Sequence, residues 1–419
     1  MPSASEAGTT QPLDPTSEPG GQAPRFVLAT LCLTQIVGWG VLFYAFPVMS
    51  SEIADQTGWS TTLVTGAFSL GLLTAAATGI GVGRLLDRHG PHLVMTIGSA
   101  TATAGVLVVA MAPNPGVFIA GWLLAGVAQA AVLYPPAFAA LTRWYGPGRV
   151  RALTTLTLVA GLASTVFAPL TAALLDQHGW RHTYLVLGGV LALVTIPAHA
   201  VGLRAPWPTW RAEAPLRGQV AAAPSSTVVA PIVRSRPFLM LATAMTLAAF
   251  TFGAATISLV PLLTTRGWSG SAAAWALGLT GLAQLLGRVG YPTLTRRTQP
   301  RTRAVLVPLL AALPLAVLAS SVHLVTVLAA CIVLGAARGG FTLVESTAIA
   351  DRWGTQHFGA LYGIISAPVI VGIAVSPWLG AVLAGHTGGY PQLFGLLAAL
   401  TTVAAVTAIG TKRTSQALR

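Results

Sequence analysis

Charge is what this sequence has least of. Asp, Glu, Lys and Arg make up 8% of its 419 residues, where soluble domains carry roughly 25%. So few charges could not clothe a soluble globule of this size, and lipid has to stand where water would. Acids are the scarcer sign, 10 Asp and Glu against 23 Lys and Arg. The net charge of +13 implies no nucleic-acid partner, because the basic residues are dispersed through short gaps between apolar runs and form no single patch. Cysteine is limited to Cys32 and Cys331. Both fall inside apolar runs, which suits core residues better than a disulfide or a metal site. The chain has no Gly-x-x-x-x-Gly-Lys-Ser/Thr loop for nucleotide phosphates, no His/Cys cluster at metal spacing and no Gly-x-Ser-x-Gly elbow. No stretch between apolar runs is long enough to fold as a catalytic domain. The sequence therefore predicts neither an enzyme nor a cofactor.

What is abundant is apolar length. Hydrophobic residues make up 54% of the chain, and they gather into about twelve runs near the ~20 residues that cross a bilayer. These are placed at 26–49, 60–82, 93–112, 117–141, 152–175, 183–203, 237–263, 272–294, 304–321, 323–350, 358–384 and 390–410. Lys and Arg concentrate in alternate gaps, the positive-inside pattern. With the N-terminus in the cytoplasm, 19 of the 23 lie on that side; Arg181 and Arg266 lie outside, and Arg288 and Arg338 lie within spans. Residues 1–24, rich in Pro, Gly, Ser and Thr, read as a disordered cytoplasmic tail without a cleaved signal. The Pro- and Arg-rich stretch 204–236 reads as a cytoplasmic linker between six-helix bundles at 25–203 and 237–410, with a short cytoplasmic tail at 411–419. The expected protein is an all-α, multi-pass monomer of the plasma (inner) membrane with both termini cytoplasmic. Its halves look related. Gly126 and Gln129 precede Arg143-Trp144 as Gly335 and Arg338 precede Arg352-Trp353, each pair 209 residues apart. Pro47, Pro169, Pro261 and Pro377 are the predicted bends, and Trp59, Trp180 and Trp268 the predicted interfacial anchors.

Between the second and third runs lies Gly83-Arg84-Leu85-Leu86-Asp87-Arg88-His89-Gly90. Gly83, Asp87, Arg88 and Gly90 fit the pattern Gly-x-x-x-Asp-Arg-x-Gly, which resembles the signature loop of the major facilitator superfamily. The basic pair that closes that pattern is replaced here by Pro91 and His92. The resemblance implies twelve helices in two pseudo-symmetric bundles. It also implies a conformational latch, in which Asp87 meets the start of the eleventh span near 358–360 and a basic residue, Arg143 or Arg149.

Charged side chains inside a bilayer cost about 3 kcal/mol or more and need compensation. Arg338 lies 14 residues before Arg352, about 21 Å deep on a helix, with Gly335, Gly339 and Gly340 leaving room around it. It either receives a carboxylate or holds a gate. Glu345 shares its face and is either a proton-coupling acid or a salt-bridge partner of Arg352. Arg288, one turn after Gln284, either faces a cavity or snorkels to headgroups. Gln284-Leu-Leu-Gly-Arg288 resembles the eighth helix of monocarboxylate transporters, with Gln284 in place of the Asp that pairs with Arg there. Phe43-Tyr44-Ala45-Phe46-Pro47 and the segment around Arg143-Trp144 through Gly179-Trp180-Arg181 resemble the same branch, although Val48 stands where that branch has Lys. Gln129, Tyr134, Gln35, Trp39 and Tyr44 are candidate cavity liners, with packing as the alternative for Trp39 and Tyr44, and Gln284 joins Arg338, Arg288, Gln129, Tyr44 and Trp39 as a candidate substrate-binding residue. The resemblance implies a secondary transporter of a small organic anion, working by alternating access and coupled to protons. The alternatives are proton-driven efflux of hydrophobic drug-like compounds and a membrane receptor that binds without transport.

Overall fold

The computed structural model describes residues 25–145, 148–207, 226–353 and 358–411, and among these it is helical with no strand. The predicted tails and most of the linker lie outside the described residues. The first half contains α1 (Arg25–Trp39), a π-helical turn (Gly40–Tyr44), α2 (Ala45–Thr57), α3 (Thr61–Ala110), α4 (Pro115–Val132), α5 (Tyr134–Tyr145), α6 (Arg149–Ala160) and α7 (Ala163–Gly202). After α8 (Ser226–Val233) the second half contains α9 (Arg236–Thr264), α10 (Gly270–Arg297), α11 (Pro300–Ser320), α12 (Leu324–Thr347), α13 (Ala350–Trp353), α14 (Phe358–Thr387) and α15 (Tyr390–Ile409). Nine helical stretches are long and apolar enough to cross a membrane, two of them with 50 and 52 residues. These two bend at Gly90 (φ 76°) and Gly179 (φ 70°), a left-handed conformation that costs glycine least. Twelve helices are reached only by opening those two bends and adding α10. The first predicted span, 26–49, was too short, since α2 continues to Thr57 and carries Glu52 and Asp55 on its last turns.

The internal repeat extends into three dimensions. Gly58-Trp59-Ser60 and Gly267-Trp268-Ser269 are 209 residues apart. In both, the glycine has positive φ and the serine hydroxyl caps the next helix, accepting from Leu63 N and Ala272 N. Gly126 and Gly335 sit where helices cross. A methyl group at Gly126 would overlap the Gly71 carbonyl oxygen, and one at Gly335 would overlap the Thr280 carbonyl oxygen. Glycine at these points lets α4 close on α3, and α12 on α10, backbone to backbone.

Each half has its own core. In the first, Phe46 and Phe68 stack at 4.1 Å between ring centroids, with Trp122, Phe118 and Tyr184 around them. Trp180 belongs to this core and is 1% exposed, so the expectation of an interfacial anchor there is corrected: Gly179 turns the ring inward against Phe118. Arg181 and Arg266, the two arginines expected outside, each cap a helix. Arg181 donates to Ala110 O and Ala112 O at the end of α3, and Arg266 to Ala319 O and Ser321 O at the end of α11. A cation there meets the negative pole of the helix. Both cysteines are buried free thiols.

Candidate functional site

Three helices of the first half lose their regular ladder near mid-length. The first passes through the π-helical turn Gly40–Tyr44, and such turns recur at functional sites. The second breaks between α4 and α5, where Leu133 is extended. Pro135 and Pro136 cause this break: Pro136 has no N–H to give the Val132 carbonyl four residues back. Gln35 of α1 supplies the missing bond, Nε2 to Val132 O at 2.7 Å. Gln129 of α4 donates the other way, from Nε2 to Leu42 O at 3.3 Å inside the π turn. The third break falls at Gly161 and Leu162 between α6 and α7.

The arginines meet this region from the second half. Arg288 of α10 reaches across and donates from Nη1 to Thr157 O, one of the last carbonyls of α6. Gly161 leaves room for the approach, since a methyl group there would lie 2.8 Å from Arg288 Nη1 and the guanidinium would have to shift. A guanidinium at the carboxyl end of a helix gains from the helix dipole. Arg288 is thus tied to the opposite half and does not snorkel toward headgroups. Arg338 of α12 donates to the Thr256 hydroxyl of α9. Gln129 and Arg338, equivalent in the repeat, therefore both reach from the fourth span of their half to the first.

Tyr134, the first residue of α5, interacts with Arg288 and lies within electrostatic range of Arg338 and Tyr44. Its ring is 4.9 Å from Trp39 and stacks on Phe138 at 4.9 Å. Trp39 and Tyr134 of the first half thus lie together with Arg288 of the second, and Tyr44 and Arg338 lie within electrostatic range of them. The ion pairs among described residues are Arg143–Asp87 at 3.2 Å and Arg303–Asp351 at 2.5 Å. Neither involves Arg288, Arg338 or Glu345. The expected Glu345–Arg352 bridge is absent from them. Arg352, buried and pushed down to about 10 by burial, donates instead to Ala348 O, Pro300 O and Thr411 Oγ1. Glu345 lies within electrostatic range of Tyr362 on α14. Two predicted liners have other surroundings. Gln129 commits its amide to the π turn, and Gln284 is 5% exposed in the α10–α12 seam, where Gly339 closes on its carbonyl.

At the charged end, Asp87 accepts from Arg143 of its own half. The Arg143 guanidinium lies 4.6 Å over the Trp207 ring, and Trp207 Nε1 donates to Asp87 O at 3.4 Å. Trp144 Nε1 donates to Pro206 O at 3.0 Å. Arg88 is exposed and Gly83 half-buried beside this cluster, and Gly90 abuts Trp207. The side chains of Arg149 and residues 358–360, the other expected latch partners, lie outside the described residues. The hydrogen bonds described between the halves run from Arg288 away from the charged end: Thr165 Oγ1 to Gly278 O at 3.0 Å, and Trp378 N to Ser69 Oγ at 3.0 Å. Ser69 lies 18 residues from Asp87 along α3, about 27 Å.

The profile of the Major Facilitator Superfamily matches residues 31–342. The chain belongs to the major facilitator superfamily. This superfamily member is 24% identical over 372 residues to monocarboxylate transporter 13 of Rattus norvegicus, covering 88% of this chain and 83% of the relative. It is 26% identical over 170 residues to the oxalate:formate antiporter of Oxalobacter formigenes, covering 41% of this chain and 40% of the antiporter. With other curated relatives the matched share is 39% and 58% of their length. Its fold is similar to the crystal structure of a bacterial homolog of the human lysosomal transporter Spinster in an inward-facing, unoccupied conformation. That likeness has a TM-score of 0.70 at 15% identity and covers 92% of this chain and 96% of the other. The protein is a multi-pass membrane protein of this superfamily, and its family and structural neighbours are transporters, not enzymes.

Sequence reasoning found the arginines from their cost in lipid. It missed the breaks that organise the site, although the Pro135-Pro136 pair beside Tyr134 was a legible signal. The π turn has a related signal in Pro47, which has no N–H to give the Phe43 carbonyl four residues back.

Proposed function

We propose that this transporter moves a small organic anion of monocarboxylate type across the plasma membrane, as a proton-coupled monomer with both termini cytoplasmic. The observation that carries the reading is that Arg288 reaches Tyr134 and Thr157 of the other half while Arg338 lies within electrostatic range of the same tyrosine, with only neutral oxygen acceptors described for the two arginines. A carboxylate entering between them would receive charge-assisted bonds in an interior where charges are weakly screened. Arg288 spans the two halves, so an anion that draws it off Thr157 O changes a contact between them. That is the coupling alternating access requires. Likeness to a monocarboxylate transporter and to an oxalate:formate antiporter supports the anion class. Glu345 is the proposed proton-coupling acid, as an intramembrane carboxyl outside the described ion pairs.

The test is counterflow in proteoliposomes together with thermal stabilisation of the purified protein by carboxylates. A ligand that prefers the folded state raises its midpoint. Arg288→Gln and Arg338→Gln should each reduce carboxylate exchange at least tenfold, which corresponds to ~1.4 kcal/mol. Glu345→Gln should retain exchange but lose its pH dependence. Stabilisation by uncharged compounds alone would end the anion reading in favour of drug efflux. Binding without exchange would indicate a receptor.

A further inference from the structure

The arginines account for one end of a ligand and leave its body unspecified. What lies beside them in the first half is aromatic. Tyr134 and Phe138 are one turn apart on α5, so they share a face. Their rings are nearly parallel, with 20° between planes and 4.9 Å between centroids. Trp39 lies 4.9 Å from Tyr134 on the other side and 5.6 Å from Phe43. Tyr134 meets Arg288 of the opposite half, so this face is turned toward the middle of the molecule and not toward lipid. Trp39, Tyr134 and Phe138 are each only half-buried, unlike the fully packed rings of Phe46, Phe68 and Trp122. Partial exposure on an inward face leaves ring surface for a ligand to cover.

The break at Leu133 is what creates this wall. A continuous helix would carry Tyr134 in register with α4. The prolines end α4 and restart the helix at Tyr134, beside Trp39 and Arg288. Gln35 holds the break shut by its bond to Val132 O. The structure thus maintains a backbone defect in the membrane whose result is an aromatic strip running from the arginines toward the charged end.

We infer that the cargo is an aromatic carboxylate, its carboxyl group at Arg288 and Arg338 and its ring against Tyr134, Phe138 and Trp39. The inference rests on the organic-anion reading of the same site and adds the chemistry of the body. A flat unsaturated ring gains offset-stacked and edge-to-face contacts that a saturated ring of similar size does not. Such contacts contribute roughly 0.5–1.5 kcal/mol beyond area burial, about two- to tenfold in affinity.

Three matched probes separate the possibilities: phenylacetate, cyclohexylacetate and 2-phenylethanol, tested on the full-length protein by thermal stabilisation and by competition in counterflow. Phenylacetate should bind about two- to tenfold tighter than cyclohexylacetate, and 2-phenylethanol should not bind. Phe138→Leu should bring the ratio of the two acids toward one, whereas Tyr134→Phe, which retains the ring and folds more safely, should preserve it. Equal binding of the two acids would overturn the aromatic inference and leave the anion reading intact. So would loss of the ratio in Tyr134→Phe, since the hydroxyl and not the ring would then discriminate. Equal binding of phenylacetate and 2-phenylethanol would overturn the anion reading itself, and failure of both acids to bind would overturn both.

Discussion

A methyl group placed on Gly126 would press on the Gly71 carbonyl oxygen, and one on Gly335 on the Thr280 carbonyl oxygen. Backbone cannot yield as a side-chain end can, so overpacking should cost about 1–3 kcal/mol. The helix propensity that alanine gains returns only ~1 kcal/mol. Gly126→Ala and Gly335→Ala should therefore both lower the thermal midpoint in detergent. Gly79→Ala and Gly189→Ala, which meet open space, should leave it unchanged or raise it. A midpoint indifferent to the first pair would mean that the crossings are looser than described. At this scale the sequence was informative about cost and silent about direction. Arg288 and Arg338 stood out because charge in lipid is expensive. Nothing near Arg288 in sequence indicates that it docks on Thr157, 131 residues away.

Proline decides the shape of α4 and α5. Replacing Pro136 by alanine restores an N–H for Val132 O and frees Gln35 from that carbonyl. Pro135 would still interrupt the ladder at Ala131 O, so the test replaces both. Interior proline disfavours a helix by ~3 kcal/mol, and the double change Pro135→Ala with Pro136→Ala should raise thermal stability while lowering exchange, as the straightened helix turns Tyr134 away from Arg288. Opposite signs for the two measurements are the diagnostic. Unchanged exchange would detach the break from the site. Of the predicted bends, Pro169, Pro261 and Pro377 lie within helices that continue through them, whereas Pro47 stands on the first turn of α2, directly after the π-helical turn. A lone proline can be absorbed by a packed helix, whereas adjacent prolines remove successive donors. The long spans were legible because twenty apolar residues have few alternatives. The bends at Gly90 and Gly179 fell where charge interrupts apolar sequence.

Between the halves, the described hydrogen bonds lie from Arg288 outward, while Asp87 at the charged end pairs with Arg143 of its own half. Asp87 is largely exposed, and exposed pairs contribute about 0–1 kcal/mol. Asp87→Asn should thus barely move the thermal midpoint of this conformation. If Asp87 also latches the halves in the alternate conformation, the variant should raise labelling of cysteines introduced along the charged end of α10. Unchanged labelling on both sides would remove the latch from the mechanism. The repeat that relates the halves was visible as matches at one offset, and the Gly126 and Gly335 crossings give that offset a spatial meaning.

The amino-acid sequence by itself determined that this protein lives in lipid, that it is helical, that it repeats, and that two arginines lie where arginine is costly. Each of these follows from local composition, because hydrocarbon tolerates little but helices and charges few exceptions. Only the tertiary structure decided what those arginines face. The bonds of Gln35 to Val132, Gln129 to Leu42 and Arg288 to Thr157 join residues 97, 87 and 131 positions apart. Such meetings are fixed by how helices cross, and helix crossings depend on every small residue along the seam at once.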